Sequence, residues 1–362
     1  MNPLKQSVRL HSLDAFRGLT VAGMILVNTA SLAPMIHPWL AHSHWNGCSF
    51  ADWVFPFFLF ITGVALAFSL AKYSQDCKPT RALYWRLLRR AVLLFALGIL
   101  LNGFWDYDWS TIRLTGILQR IGVAYLAAAL IVLKLPRQAQ WGVTILLLIG
   151  YWAAYVAFPI PEPNYDPGVP AQGEIGTFGI MSLFGMMSTI AMVLLGYFTG
   201  AWLQVETVTK KLRTSSQSMT LVLWGLSSIA LGQLWSLLLP INKKLWTSSY
   251  ALFTVGLALL LLAVCYELIE VRCQRRWSRP AQVLGLNSIF LFIASELMIK
   301  LLEKTQMGTE SAAPSSFTWL DEHLFLSWTN PSTAGFLFAL VTLLFWWLVA
   351  YGLYWRRWLI TV

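Results

Sequence analysis

Charge is what this chain has least of. Only 12% of its 362 residues are Asp, Glu, Lys or Arg, against roughly 25% in an ordinary soluble domain. Cysteine is scarce as well, with four residues in all. Cys48, Cys77, Cys265 and Cys273 are scattered without close pairing, which excludes both a disulfide framework and a zinc pattern. No Walker A sequence and no Rossmann glycine pattern is present, so soluble nucleotide-binding folds lose their usual signatures. Uninterrupted apolar blocks take up most of the chain, and 57% of its residues are hydrophobic. A bilayer core about 30 Å thick is crossed by about 20 apolar residues in helix. The composition therefore excludes disordered and fibrous proteins and points to one polytopic membrane domain over residues 1–362.

The apolar segments fall at 18–36, 53–71, 91–104, 115–133, 141–159, 180–203, 218–239, 249–269, 283–302 and 334–355. In lipid each backbone polar group must be satisfied within the protein, so each segment is expected as a helix. The expected class is all-α, with about ten transmembrane helices. The first segment has a basic start and a small-x-small triplet, Ser31-Leu32-Ala33, as signal peptides do. Its length favours an uncleaved helix.

The formal net charge of +10 would suggest nucleic acid in a soluble protein. Here the basic residues sit in short loops between apolar blocks, so no nucleic-acid partner is expected. Alternate loops hold Lys5, Arg9 and Arg17; Lys72, Lys78, Arg81, Arg86, Arg89 and Arg90; Lys134 and Arg137; Lys210, Lys211 and Arg213; Arg272, Arg275, Arg276 and Arg279; and Arg356 and Arg357. Those twenty residues of 26 mark one side, which the positive-inside rule makes cytoplasmic. Both termini are then inside, as an even number of spans requires. The other loops, near 37–50, 105–113, 160–179, 240–248 and 304–333, face outward. The 19 Trp and 12 Tyr suit the aromatic belts at the two headgroup levels, in contact with membrane lipid.

An ionisable group at membrane depth costs a few kcal/mol and is a functional candidate by default. The richest stretch runs from His42 through Ser43, His44, Trp45, Asn46, Gly47, Cys48 and Ser49 to Asp52. Asp52 at a helix start is a natural N-terminal cap; it is also placed to orient a nearby imidazole. A neutral imidazole is the commonest general base near pH 7. A metal site would need further ligands, and His37 and His323 are the only other outer-side histidines, so no metal is expected. Gln119 and Arg120 open the fourth segment, where Arg120 either snorkels outward or meets a negative group. Glu296 lies in the ninth with Lys300 one turn on, and Asn287 and Ser288 are expected deeper in the same helix. Asn28 is a lone amide in the first. On the cytoplasmic side, Arg86, Arg89 and Arg90, with Arg275 and Arg276, suit anionic lipid or a ligand's phosphates.

These motifs resemble those of the heparan-α-glucosaminide N-acetyltransferase family, and in particular its bacterial NagX-like transmembrane acyltransferases. The resemblance begins at Ser12-Leu13-Asp14-Ala15-Phe16-Arg17-Gly18 and continues through Val27-Asn28. It is sharpest over His42-x-x-Trp45-Asn46-Gly47-x-x-x-Ala51-Asp52-x-Val54-Phe55-Pro56. Arg113-x-x-Gly116-Ile117-Leu118-Gln119-Arg120, Asn242-Lys243-Lys244-Leu245-Trp246-Thr247 and Gly285-Leu286-Asn287-Ser288 follow. It implies a multi-pass acetyltransferase of the bacterial inner membrane, moving acetyl from cytosolic acetyl-CoA to the amine of a glucosamine-type sugar on the outer side. His42 is then the general base or acetyl carrier, with Asp52 and Asn46 as its catalytic partners. Asn28, Trp45, Gln119, Arg120, Asn287 and Glu296 are expected around the substrate and oxyanion, and Arg86, Arg89, Arg90, Arg275 and Arg276 at the CoA phosphates. The chain departs from the family pattern at Asp166-Pro167-Gly168 and Gly173-Glu174, where Asp-Pro-Glu-Gly is common. Two other functions fit the same polar residues: an amino-sugar or N-acetylglucosamine transporter, and an O-acyltransferase acting on a cell-envelope glycan. A homodimer is compatible with each.

Overall fold

The computed structural model describes residues 10–73, 78–105, 116–158, 177–209, 213–308 and 313–359. Cys77, Arg113 and the departure at 166–174 lie outside them. Twelve α-helices are described: α1 (His11–Ala30), α2 (Phe50–Leu70), α3 (Arg81–Gly103), α4 (Ile117–Lys134), α5 (Arg137–Ala157), α6 (Thr177–Gln204), α7 (Ser215–Trp235), α8 (Ser248–Tyr266), α9 (Arg279–Leu286), α10 (Ser288–Lys304), α11 (Ser316–Asp321) and α12 (Pro331–Trp355). The described residues are all-α, and each of the ten apolar segments centres on one helix or, for the ninth, on the pair α9 and α10, although 31–36 and 236–239 run past the ends of α1 and α7.

Among the described residues, seven helical segments are long and apolar enough to cross a bilayer: α2, α4, α5, α6, α7, α8 and α12. The pair α9–α10, bent by 79°, makes up to eight. The shortfall from ten falls on α1 and α3. Arg17 sits within α1, and Arg81, Arg86, Arg89 and Arg90 within α3. Beyond Arg17 and Arg90 each keeps thirteen helical residues, about 20 Å at 1.5 Å per residue. The bend between α9 and α10 corrects the expectation of a single ninth helix. Asn287 and Ser288 lie at that break, not deep within a span.

Close approach of backbones holds the bundle together. A methyl group at Gly63 would lie 2.0 Å from the Val193 carbonyl oxygen, and one at Gly196 would lie 2.3 Å from that of Phe60. Only glycine lets α2 and α6 meet this closely, and van der Waals packing is the main attraction between helices in lipid. One core lies among α2, α4, α6 and α8, with Leu59, Phe60, Met192, Leu194 and Tyr266 fully buried. A second lies among α1, α10 and α12 around Ile25, Leu291 and Ala339.

Two connections meet at the end of the bundle where α1 stops and α2 starts. The Gly47 amide donates to the Ile241 carbonyl at 2.8 Å, joining the α1–α2 loop to the α7–α8 loop. Gly47 has φ +112°, a conformation that residues with a Cβ rarely adopt.

Candidate functional site

The site is built from the start of α2. Ser49 caps that helix in a capping box with Asp52, which satisfies amides that otherwise have no helical partner. Pro56 stands four residues after Asp52 and has no N–H to give its carbonyl. The Tyr250 hydroxyl, from α8, donates to that carbonyl instead at 2.7 Å. The proline thus ties α8 to the turn of α2 that holds the acid.

The Asp52 side chain is only 1% exposed. Its Oδ2 accepts from the Ser49 amide at 3.0 Å, the Ser49 hydroxyl at 2.9 Å, the Ser43 amide at 3.2 Å and the Ser43 hydroxyl at 2.9 Å. Its Oδ1 faces His42 Nδ1 at 2.8 Å and Lys243 Nζ at 3.1 Å. Lys243 Nζ also lies 3.1 Å from His42 Nδ1. The imidazole keeps 45% of its surface exposed, so a carboxylate buried in protein holds a ring open to solvent. His42 and Asp52, paired in the sequence by spacing and resemblance, are in contact.

Sequence reasoning gave no role to Lys243, although it lies in a quoted motif. Its position follows from Asn242, which is fully buried. The Asn242 amide N–H donates to Thr247 Oγ1 at 3.1 Å, and its side-chain oxygen accepts from the Leu245 amide at 3.0 Å. Its Nδ2 donates to Asn46 Oδ1 at 3.2 Å. Asn46 therefore braces the lysine loop. Burial pushes the Lys243 ammonium below the usual lysine range, and the adjacent Asp52 opposes that shift. Burial, with Asp52 beside it, pushes the Cys48 thiol up to about 12.

Aromatic and cationic groups surround the cluster. Lys244 Nζ lies 5.4 Å from the centroid of the Trp45 ring, and the Arg120 guanidinium 5.0 Å from that of buried Trp246. Trp246 packs between Phe55 and Tyr250, with centroids at 4.8 and 5.2 Å. Gln119 is buried against Gly98 and Gly116, where an added methyl would meet its amide.

The remaining expected residues divide between places. Asn28 Nδ2 donates to Glu296 Oε1, joining α1 to α10. Lys300 reaches the Asn102 carbonyl at 3.5 Å. Asn287 is not brought to His42. Its Nδ2 donates to the Trp358 carbonyl at 3.1 Å, at the end where α9 packs on Asp14 and Gly18 of α1. The 20 residues of α1, about 30 Å of helix, separate that end from the His42 loop.

Between α1, α2, α3, α4 and α10 lies an open-mouthed cavity of about 170 Å³. Ile117 and Leu118 border it at the start of α4, and Arg17, Arg90 and Ser288 toward the opposite end. Arg90 stands over the Tyr125 ring at 5.0 Å, and its Nε has no hydrogen-bond acceptor among the described residues. Arg86, Arg89, Arg275 and Arg276 are exposed and do not border the cavity. Arg17, read in the sequence as a topology signal and as part of the first quoted motif, does. No three His, Cys, Asp or Glu side chains converge as a metal-ligand set among the described residues.

The sequence profile described as heparan-alpha-glucosaminide N-acetyltransferase, catalytic, matches residues 9–239. The chain belongs to this family. It is 26% identical over 362 aligned residues to the human heparan-alpha-glucosaminide N-acetyltransferase, covering 80% of this chain and 53% of that protein. Against the mouse protein of the same name it is 26% identical over 359 residues, covering 80% and 54%. The chain thus spans about half the length of the curated relatives it matches. The family match takes in His42, Asn46 and Asp52 and stops before Asn242 and Lys243.

Proposed function

We propose that this protein is a multi-pass acetyltransferase of the bacterial inner membrane, acting as one undivided domain. It moves acetyl from cytosolic acetyl-CoA to the amine of a glucosamine-type sugar on the outer side. The observation that carries the reading is a solvent-open imidazole, His42, held at 2.8 Å by a buried carboxylate, Asp52. The cavity with Arg17 and Arg90 toward its far end supports a donor entering from the basic side. In this reading α1 and α3 also cross, giving ten spans and cytoplasmic termini.

The chemistry follows from the groups present. A sugar ammonium must lose a proton before its nitrogen can attack a thioester. With Nδ1 engaged by Asp52, His42 Nε2 takes that proton, and Asp52 keeps the ring oriented as it becomes imidazolium. The nitrogen attacks the acetyl carbonyl and loses its second proton to water as the C–S bond breaks, and the departing CoA thiolate takes the proton from the His42 imidazolium and leaves as the thiol. Arg120 and the amides of Asn28 and Gln119 are the groups to stabilise the developing oxyanion. Arg17 and Arg90 hold the donor's phosphates. Trp45 offers the sugar an aromatic face.

The test is acetyl transfer in detergent, read as amino-sugar-dependent release of CoA. His42→Ala should lower the rate by about 10²–10⁴-fold, the usual contribution of a positioned base, and His44→Ala far less. Full activity in His42→Ala removes the imidazole from the mechanism. Radiolabelled acetyl retained on the protein without sugar would make His42 an acetyl carrier. Uptake of N-acetylglucosamine into proteoliposomes without acetyl-CoA would replace transfer by transport.

A further inference from the structure

Lys243 lies some two hundred residues from His42 in sequence, yet its ammonium shares one oxygen of Asp52 with the imidazole, 3.1 Å from each. A carboxylate 2.8 Å from an imidazole, with no other charge near, favours the protonated ring. A protonated ring has no lone pair with which to take a proton from a sugar. The base requires the carboxylate for orientation and, in its resting state, must not be held protonated by it.

We infer that Lys243 is a positioning residue that balances the charge of Asp52 and so leaves the His42 imidazole neutral and ready to accept a proton. Among the described residues, the neighbouring groups that titrate or bear charge fit this count. On α2, Asp52 is the single carboxylate in contact with the ring. Within the α1–α2 loop lie His44 and Cys48, and the raised Cys48 thiol stays uncharged near neutral pH. From α8, Tyr250 is occupied in donating to the Asp52 backbone. From the α7–α8 loop, Lys244 stands over Trp45, and from α4, Arg120 stands over Trp246. Among the described residues, Lys243 is therefore the cation in direct contact with both members of the pair. Its loop is fixed by fully buried Asn242, so the ammonium is held in place by structure rather than by an exposed, wandering side chain.

A contact of purely structural value would act on stability and on overall rate. A charge-balancing contact acts on the pH at which His42 becomes reactive. This inference rests on His42 being the base, but it is read without turnover. Diethylpyrocarbonate carbethoxylates neutral imidazole, and peptide mapping by mass spectrometry follows His42 apart from the other four histidines. In the wild-type protein His42 should be modified readily at pH 7. In Lys243→Met the midpoint of its reactivity should move up by at least one pH unit, a tenfold loss of reactivity at a fixed pH on the acid side. Lys243→Arg should keep the wild-type midpoint. In parallel, the acid limb of kcat/KM should move up in Lys243→Met, with the rate recovering at higher pH.

An unchanged midpoint in folded Lys243→Met overturns the inference, as does Lys243→Arg shifting as far as Lys243→Met. If the Met variant does not fold, the wild-type protein still decides, because a His42 that resists modification until above pH 8 is an uncompensated partner of Asp52. A shifted midpoint in a protein that transfers no acetyl would keep Lys243 as the balancing charge and discard the acetyltransferase reading.

Discussion

Asp52→Asn is the perturbation whose outcome the structure specifies most closely. The change replaces one carboxylate oxygen by an NH₂ group and leaves the volume unaltered. Two orientations are available. With the NH₂ toward the serines, it faces two hydroxyls, which can rotate to accept, and the amides of Ser43 and Ser49, which cannot. Two N–H groups would lose their acceptor, at about 1–3 kcal/mol each. With the NH₂ toward the imidazole, all four serine bonds survive and the conflict passes to His42 Nδ1. That nitrogen can then only accept, so its proton moves to Nε2. The second orientation sets the NH₂ against the Lys243 ammonium, donor facing donor, and the lysine, 25% exposed, must withdraw toward solvent; that costs less than two stranded amides, so this orientation is favoured, and it abolishes the base. In the serine-protease triad the same loss of tautomer costs about 10⁴ in rate, and a fall of about 10³–10⁴ is expected here. Lys243 also loses its counter-charge. Breaking a buried pair costs about 3–5 kcal/mol, an upper bound because the Lys243 side chain keeps 25% of its surface exposed. The assay is CoA-thiol release at saturating acetyl-CoA and glucosamine, with a thermal melt alongside. Activity within tenfold of wild type in a folded Asp52→Asn protein would refute the role of the acid in fixing the ring.

Three further outcomes follow from other contacts. Tyr250→Phe removes the donor that replaces the missing Pro56 N–H and strands the Asp52 carbonyl, so stability should fall by about 1–3 kcal/mol; an unchanged denaturation midpoint would show that this carbonyl finds another partner. Arg90→Gln, at the cavity wall, should raise KM for acetyl-CoA at least tenfold with a much smaller change in kcat, whereas exposed Arg86→Gln and Arg275→Gln should change KM less than twofold; equal effects would disconnect the cavity from the donor. Cys48, with its thiol at about 12, is roughly 10⁻⁴ thiolate at pH 8, against about a quarter for a free thiol of pKa about 8.5. Its alkylation by iodoacetamide should therefore be about a thousandfold slower than that of a model thiol and should rise tenfold per pH unit up to about 12; fast labelling at pH 8 would contradict the burial of this sulfur.

The helices were legible because lipid leaves the backbone few alternatives, and each of the ten apolar segments has its centre in helix. The break at Asn287 was not. Gly285-Leu286-Asn287-Ser288 sits in an apolar run, and the bend depends on contacts from elsewhere, Asp14 and Gly18 on one side and Trp358 on the other. Helix α11 lay unread in an outer loop, although Ser315 caps it by accepting from the Thr318 amide, and Ser315-Ser316-x-Thr318 is the kind of local signal that could have revealed it. At the site, the His42 and Asp52 pair is local in sequence and was found. The donors to Asp52 from Ser43 and Ser49 lie within the same stretch, but nothing in the spacing gives them a role of their own. Lys243 was out of reach of any spacing rule, because its distance to His42 is set by how α8 packs on α2. Arg17 and Arg90 were counted among many arginines, and only packing separates those two from the exposed ones.

The cluster around Asp52 straddles the edge of the family match. His42, Ser43, Ser49 and Asp52 precede residue 239, and Asn242, Lys243 and Tyr250 follow it. A fragment trimmed to that edge would keep the acid and the imidazole while discarding the counter-ion and the hydroxyl that props the proline turn. Two separately expressed pieces divided there would each be inert, and any restored turnover on mixing them would report reassembly of α8 against α2.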